Sequence, residues 1–150
     1  MPSTAQDLIQ KYRLTVADYH RMGAAGILRE DARVELIEGE IIDMAPIGST
    51  RSGTINRLIR LFNLAIDEAA LLSIHNPVVL DMHSESQPDP ALLRPREDFY
   101  TNSHPRPEDV LLLVEVCESS LRYDRERSSF PSMLGMAAWR HGCSIWSTNN

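Results

Sequence analysis

Leu111-Leu112-Leu113-Val114-Glu115-Val116 is an aliphatic run with a single carboxylate set into it. A run of this kind reads as the most buried strand of a sheet, central rather than at an edge. The carboxylate is the constraint, because charge inside such a strand is costly to bury unless it is paired or binds a cation. A second acid, Asp89, stands in Gln87-Pro88-Asp89-Pro90-Ala91-Leu92-Leu93, attached to another apolar segment. Two such carboxylates on neighbouring strands are in a position to share one divalent metal.

The other elements follow from periodicity and turn chemistry. Thr15 precedes a short helical stretch, with Asp18 three residues later as the weaker form of a capping box, and Gly23 and Gly26 end it. Val34 and Leu36, then Ile41 and Ile42, alternate around Glu38-Gly39 and predict a β-hairpin. From about Thr54 to Ala70 the residues Ile55, Leu58, Ile59, Phe62, Ala65, Ile66 and Ala69 recur at helical spacing with one buried face. Leu71 to Leu80 and Ala91 to Arg94 read as strands, joined by a polar connector from Asp81 to Gln87. A Pro-rich loop from Arg96 to Asp109 leads into Leu111. This order predicts an α/β or α+β fold, a mixed sheet flanked by helices.

Composition narrows the function. The chain has 150 residues with 43% hydrophobic and 24% charged content, enough for one domain with a real core. Its apolar runs are too short to cross a bilayer, and its N-terminus has neither a basic nor an apolar signal region. Cys117 and Cys143 have no ligand spacing, so a reduced, cytoplasmic protein without a membrane partner is expected. The net charge of −6 argues against tight nonspecific binding to nucleic acid. Arg51, Arg57 and Arg60 recur on one segment and read as charges of a solvated helix face, with a local basic rim as the alternative.

Asp89 and Glu115 supply two hard oxygen ligands, which together with waters and a substrate phosphate suit Mg²⁺. Such a metal polarises a scissile phosphodiester and lowers the pKa of an attacking water. Plainer readings stand beside this one. Asp89 after Pro88 suits a turn cap, whereas Glu115 interrupts an apolar run and is harder to dismiss. Glu35 alternates away from Val34, which leaves open a solvated position or a site role. His75 and His83 lack ligand partners at useful spacing and read as ordinary histidines. Tyr19, His20 and Met22 read as helix packing, and Ser119 and Ser120 as caps of a following helix.

Three stretches, in order, carry a resemblance. They are Arg33 to Met44 (RVELIEGEIIDM), Gln87 to Pro95 (QPDPALLRP), and Val114-Glu115-Val116 with Ser119-Ser120 and Tyr123-Asp124-Arg125-Glu126. From Arg13 to about Arg127 the chain resembles the restriction-endonuclease family expanded in cyanobacteria, within the PD-(D/E)XK nuclease superfamily. The resemblance implies a restriction-endonuclease-like fold and a Mg²⁺-dependent endonuclease acting on DNA. It implies Asp89 and Glu115 as catalytic, metal-binding acids and Glu35 as a supporting acid. In this family the lysine of the second motif migrates to the helix after Tyr-Asp-Arg-Glu, so none is expected at Cys117.

After Glu126 the pattern stops. Ser128 to Trp139 has no convincing period, and Trp139 to Asn150 has no strand pattern. Back-translated and read one nucleotide out of step, Phe130 to Met136 permits Leu-Pro-Phe-Tyr-Ala-Arg-His-Gly, with Lys permitted just before it. Trp139 to Asn150 permits Ala-x-Trp-Met-Phe-Asp-Leu-Val-Asp-Lys-Gln. That hidden frame reads like the family and points to a frameshift near Arg127. The division expected is residues 1–127 as an incomplete nuclease-like domain and 128–150 as an aberrant tail. The expected consequences are loss of the catalytic lysine, an inactive enzyme, and a sheet neighbour missing beside Leu111 to Val116. A noncatalytic interaction or homodimerisation module, or a nonfunctional relic, is the alternative.

Overall fold

The computed structural model describes residues 10–116, 135–138 and 143–147, the last two segments as backbone alone. Two helices, α1 (Val16–Ala24) and α2 (Ser49–Ala65), accompany nine strands among these residues. The strands are β1 (Val34–Ile37), β2 (Glu40–Asp43), β3 (Leu71–Ile74), β4 (Val78–Asp81), β5 (Ser84–Ser86), β6 (Pro90–Leu93), β7 (Val110–Val116), β8 (Gly135–Ala138) and β9 (Cys143–Ser147). They form two sheets, ordered β2-β1-β5-β4 and β3-β6-β7-β9-β8. The fold is α+β, as expected. The pairing is not mixed: every ladder among the described residues is antiparallel.

The α1 cap forms as the spacing predicts. The Thr15 hydroxyl accepts from the Asp18 backbone N–H at 3.1 Å, and the Asp18 carboxylate accepts from the Thr15 N–H at 3.0 Å. The hairpin also forms, with Val34 opposite Asp43 and Ile37 opposite Glu40. Both turn residues have positive φ, Glu38 at 50° and Gly39 at 84°, the pattern of a primed hairpin turn. The turn is then clamped from two sides. Gly39 N–H donates to the His83 carbonyl at 2.7 Å, and its own carbonyl accepts from Leu14 N–H at 3.0 Å.

Strand β7 is the middle strand of the larger sheet and is covered on both faces. Val114 and Val116 pack with Ile55 of α2, together with Leu58, Ile59, Phe62, Ile74 and Leu112. Val110 and Leu113 join Val78 and Leu80 of β4 and Ala91 and Leu93 of β6 in a second cluster. Hence α2 covers one face of the larger sheet at β7, and β4 of the smaller sheet packs on the other. Each fully buried aliphatic side chain there contributes about 1.5–3 kcal/mol. Helix α2 starts earlier than its apolar period suggests, at Ser49, and ends at Ala65, so Ala69 lies outside it.

Two further expectations change. The polar connector after Asp81 contains β5, whose three residues are all buried. Beyond β7, the sheet does not end: β9 pairs with it from Leu112↔Ser147 to Val116↔Cys143, and β8 pairs with β9. Backbone hydrogen bonding at a strand edge carries no side-chain code, so a Cys-Ser-Ile-Trp-Ser segment of ordinary β character can fill it. Ser119-Ser120, Tyr123-Asp124-Arg125-Glu126 and the frameshift expected near Arg127 lie outside the described residues.

The loop before β7 is knotted on Asp98, which accepts from the Tyr100 N–H, the Asn102 N–H and the Arg96 guanidinium. Arg96 also reaches the Ser103 carbonyl at 2.9 Å. The Arg96 guanidinium, ahead of the backbone N–H groups, holds the Asp98 carboxyl down at about 2. A depressed carboxyl stabilises the fold above its ordinary value of 3.8, and that stability is lost as pH falls through about 2. Acid unfolding of the chain and of Asp98→Asn should therefore differ above pH 4 and converge towards pH 2.

At Gly39 an added Cβ would lie 2.6 Å from the Arg13 Cβ and 2.8 Å from its Cα, on a backbone with φ of +84°. Gly39→Ala should cost about 2 kcal/mol or more, from left-handed strain plus displacement of the Arg13 backbone. A urea midpoint lowered with an unchanged slope checks this.

Candidate functional site

Pro88-Asp89-Pro90 enters β6, and Asp89 is fully buried. The prolines remove two backbone donors at the strand entry, where a ladder partner is not needed. The Asp89 carboxylate is saturated instead by groups from three other elements. Val116 N–H, at the end of β7, donates to it at 2.7 Å. Arg51, in the first turn of α2, donates through Nη2 at 2.8 Å and Nε at 3.3 Å. The His75 ring Nε2 lies 3.2 Å from the same carboxylate. A planar guanidinium gripping a carboxylate through two nitrogens is among the stronger charge-assisted arrangements.

Glu115 turns to the same cation: its Oε2 is 4.0 Å from Arg51 Nη2, and its side chain is 20% exposed. Asp89 and Glu115 thus converge on one positive charge, as two acids sharing a metal would. The charge found there is Arg51. Along the helix alone it groups with Arg57 and Arg60 on a solvated face, and those two are indeed exposed. The Arg51 side chain is only 15% exposed. A sequence signal for it existed, since a basic residue in the first turn opposes the helix dipole, and α2 has no acid there.

Glu35 is half-buried and bonds to the segment before Asp89 rather than to its carboxylate. Its Oε1 accepts from the Gln87 N–H at 2.6 Å and from the Ser86 hydroxyl at 3.0 Å. It therefore braces the segment that delivers Asp89, two residues further on. His75 departs from its plain reading. Its backbone is left-handed at φ 54°, its N–H donates to the carbonyls of Pro88 and Asp89, and its ring meets the Asp89 carboxylate. Histidine is one of the residues that tolerate this conformation, and strain of this kind concentrates at functional sites.

The donor chemistry suits Mg²⁺: two hard carboxylates, one rigid and buried, one open towards solvent. Both Asp89 oxygens are engaged by Arg51, however, so a cation binding there has to take the place of the guanidinium. Lysine is scarce. Lys11 is the chain's single lysine. It lies at the surface, paired with Glu40 at 2.7 Å.

The family model for Uma2, described as putative restriction endonuclease, matches residues 16–133. The chain belongs to the Uma2 family. No curated protein matches it. The matched span of this Uma2 chain contains Glu35, Asp89, Glu115 and Arg51 alike. Among the described residues no helix is long and apolar enough to cross a membrane.

Removing one partner of a buried ion pair strands the other. Arg51→Ala should destabilise the chain by about 3 kcal/mol. Asp89→Asn keeps an acceptor for Val116 N–H and removes the charge. In a double-mutant cycle the two losses should fall short of additivity by about 1–3 kcal/mol, measured by chemical denaturation.

Proposed function

We propose that this chain is an incomplete, inactive form of a Mg²⁺-dependent endonuclease that hydrolyses DNA phosphodiester bonds. The observation that carries the reading is the convergence of Asp89 and Glu115 on a single cationic centre at the ends of β6 and β7. Membership of a family of restriction-endonuclease type supports the class of reaction and, through it, DNA as the substrate.

In this reading Asp89 is the fixed acid. The Val116 N–H and the rigid Pro88-Asp89-Pro90 entry hold its carboxylate, and Glu35 anchors the preceding turn. Glu115, partly exposed at the solvent side, is the second acid. Mg²⁺ held by these two acids would supply charge neutralisation at the scissile phosphate and a more acidic water. Arg51 stands as the counter-ion of the acids and, when released from Asp89, is within the same centre to face a phosphate oxygen. The missing component is a lysine to orient or stabilise the attacking hydroxide. Lys11, bonded to Glu40 at the surface, does not fill that role.

A plasmid-nicking assay with Mg²⁺ tests this on two proteins: the 150-residue chain and a version with the reading frame restored after Glu126. The restored form should nick DNA and lose the activity on Asp89→Ala, and the 150-residue form should not nick. Absence of Asp89-dependent cleavage in both forms rules out the nuclease reading and leaves a noncatalytic module or a relic.

A further inference from the structure

A second cluster of ligating side chains lies away from Asp89. Glu85 belongs to β5, an inner strand of the smaller sheet, opposite Leu36 of β1 and Val79 of β4. It is 4% exposed, a buried acid in an aliphatic setting. His20 of α1 reaches it from above, with Nε2 at 2.6 Å from Oε2. His104, from the loop before β7, brings its ring edge-on to that of His20 at 5.7 Å between centroids. One ligand atom from each of the three lies within 4.8 Å of the others.

We propose that His20, Glu85 and His104 form a zinc-class divalent-cation site that clips α1 and the loop before β7 to the middle of the smaller sheet. Two imidazoles and one carboxylate are a donor set that Zn²⁺ takes with a fourth position left to water. They are a poor set for Mg²⁺, which prefers oxygen ligands throughout. The three atoms need to settle about 3.3 Å apart around a tetrahedral ion with bonds of about 2.0 Å. The change falls on His20 and His104, which are exposed and can rotate, while Glu85 stays fixed.

The surroundings favour a fixed anchor and movable imidazoles. Tyr19, next to His20, donates its hydroxyl to the Val34 carbonyl at 3.0 Å and so pins α1 to β1. On the other side, the Asp98 knot and the Pro105 carbonyl, which accepts from Val79 N–H at 2.9 Å, bracket His104. The three ligands come from segments far apart in sequence, so a bound ion closes two long loops and stabilises the folded chain. This site is independent of the nuclease reading, since it shares no residue with Asp89, Glu115 or Arg51.

The test is a titration of the whole chain with Zn²⁺ against a chelating indicator, repeated with Co²⁺ for its visible absorption. One equivalent should bind, with a tetrahedral Co²⁺ spectrum and a raised melting temperature, and excess Mg²⁺ should not compete. His20→Ala and His104→Ala, at exposed positions that leave the fold intact by circular dichroism, should each weaken binding by on the order of tenfold or more. Asp89→Asn should leave it unchanged. The proposal is overturned if the chain takes up no Zn²⁺, or if the double histidine variant binds as well as the parent. It is equally overturned if Asp89→Asn abolishes binding and the histidine variants keep it. Glu85→Gln is a secondary probe, because loss of a buried charge there can disturb folding in its own right.

Discussion

The ion pair between Asp89 and Arg51 is the interaction on which the rest of the site depends. Asp89 joins β6, β7 and α2 at one carboxylate, through its own backbone, the Val116 N–H and the Arg51 guanidinium. Each contact answers a separate demand. The strand end at Val116 has an N–H to satisfy, the buried charge requires a counter-charge, and the start of α2 must be held on the sheet. An uncharged residue at position 89 meets the first demand at best. The same convergence brings Glu115 within reach of the guanidinium, so a structural pair and a two-carboxylate centre are one object here.

Much of this was legible in the residues. The Glu38-Gly39 turn, the Thr15 cap and the centrality of Leu111 to Val116 each follow from a local rule, and the structure agrees with all three. What escaped has a common cause. Strand β5 is Ser-Glu-Ser, polar at every position, and nothing in its composition announces burial. Its side chains are buried because they meet partners distant in sequence: Ser84 accepts from Glu38 N–H, Ser86 donates to Glu35, and Glu85 meets His20. Arg51 was hidden in the same way, by resembling Arg57 and Arg60 when read along one helix. Periodicity reports which face is apolar, and it does not report which polar residue has found a partner across the fold.

The far edge of the larger sheet carries a related lesson. A segment whose side chains follow no family pattern nevertheless lies against β7 as β9, with five residues in register. Strand pairing satisfies the exposed N–H and C=O groups whatever the side chains are, so sheet continuity by itself says nothing of the chemistry beside it. Chemistry requires particular atoms at particular places. Lys11 is paired with Glu40 at the surface, and the basic groups that meet Asp89 among the described residues are Arg51 and His75.

Three buried or half-buried acids are thus held in three different ways, and the differences set what each can do. Glu35 is held by a backbone N–H and a hydroxyl, which fixes it as a brace. Asp89 is held by a guanidinium that keeps its charge at any accessible pH, so its negative charge is compensated permanently and a metal has to compete for it. Glu85 is held by an imidazole, a side chain whose ring nitrogens serve either as hydrogen-bond partners or as metal ligands. A ring that can rotate from donor to ligand lets the proposed site serve as an ion pair or as a metal clip. The partner, more than the acid, therefore decides whether a buried carboxylate is a brace, a locked charge or a ligand.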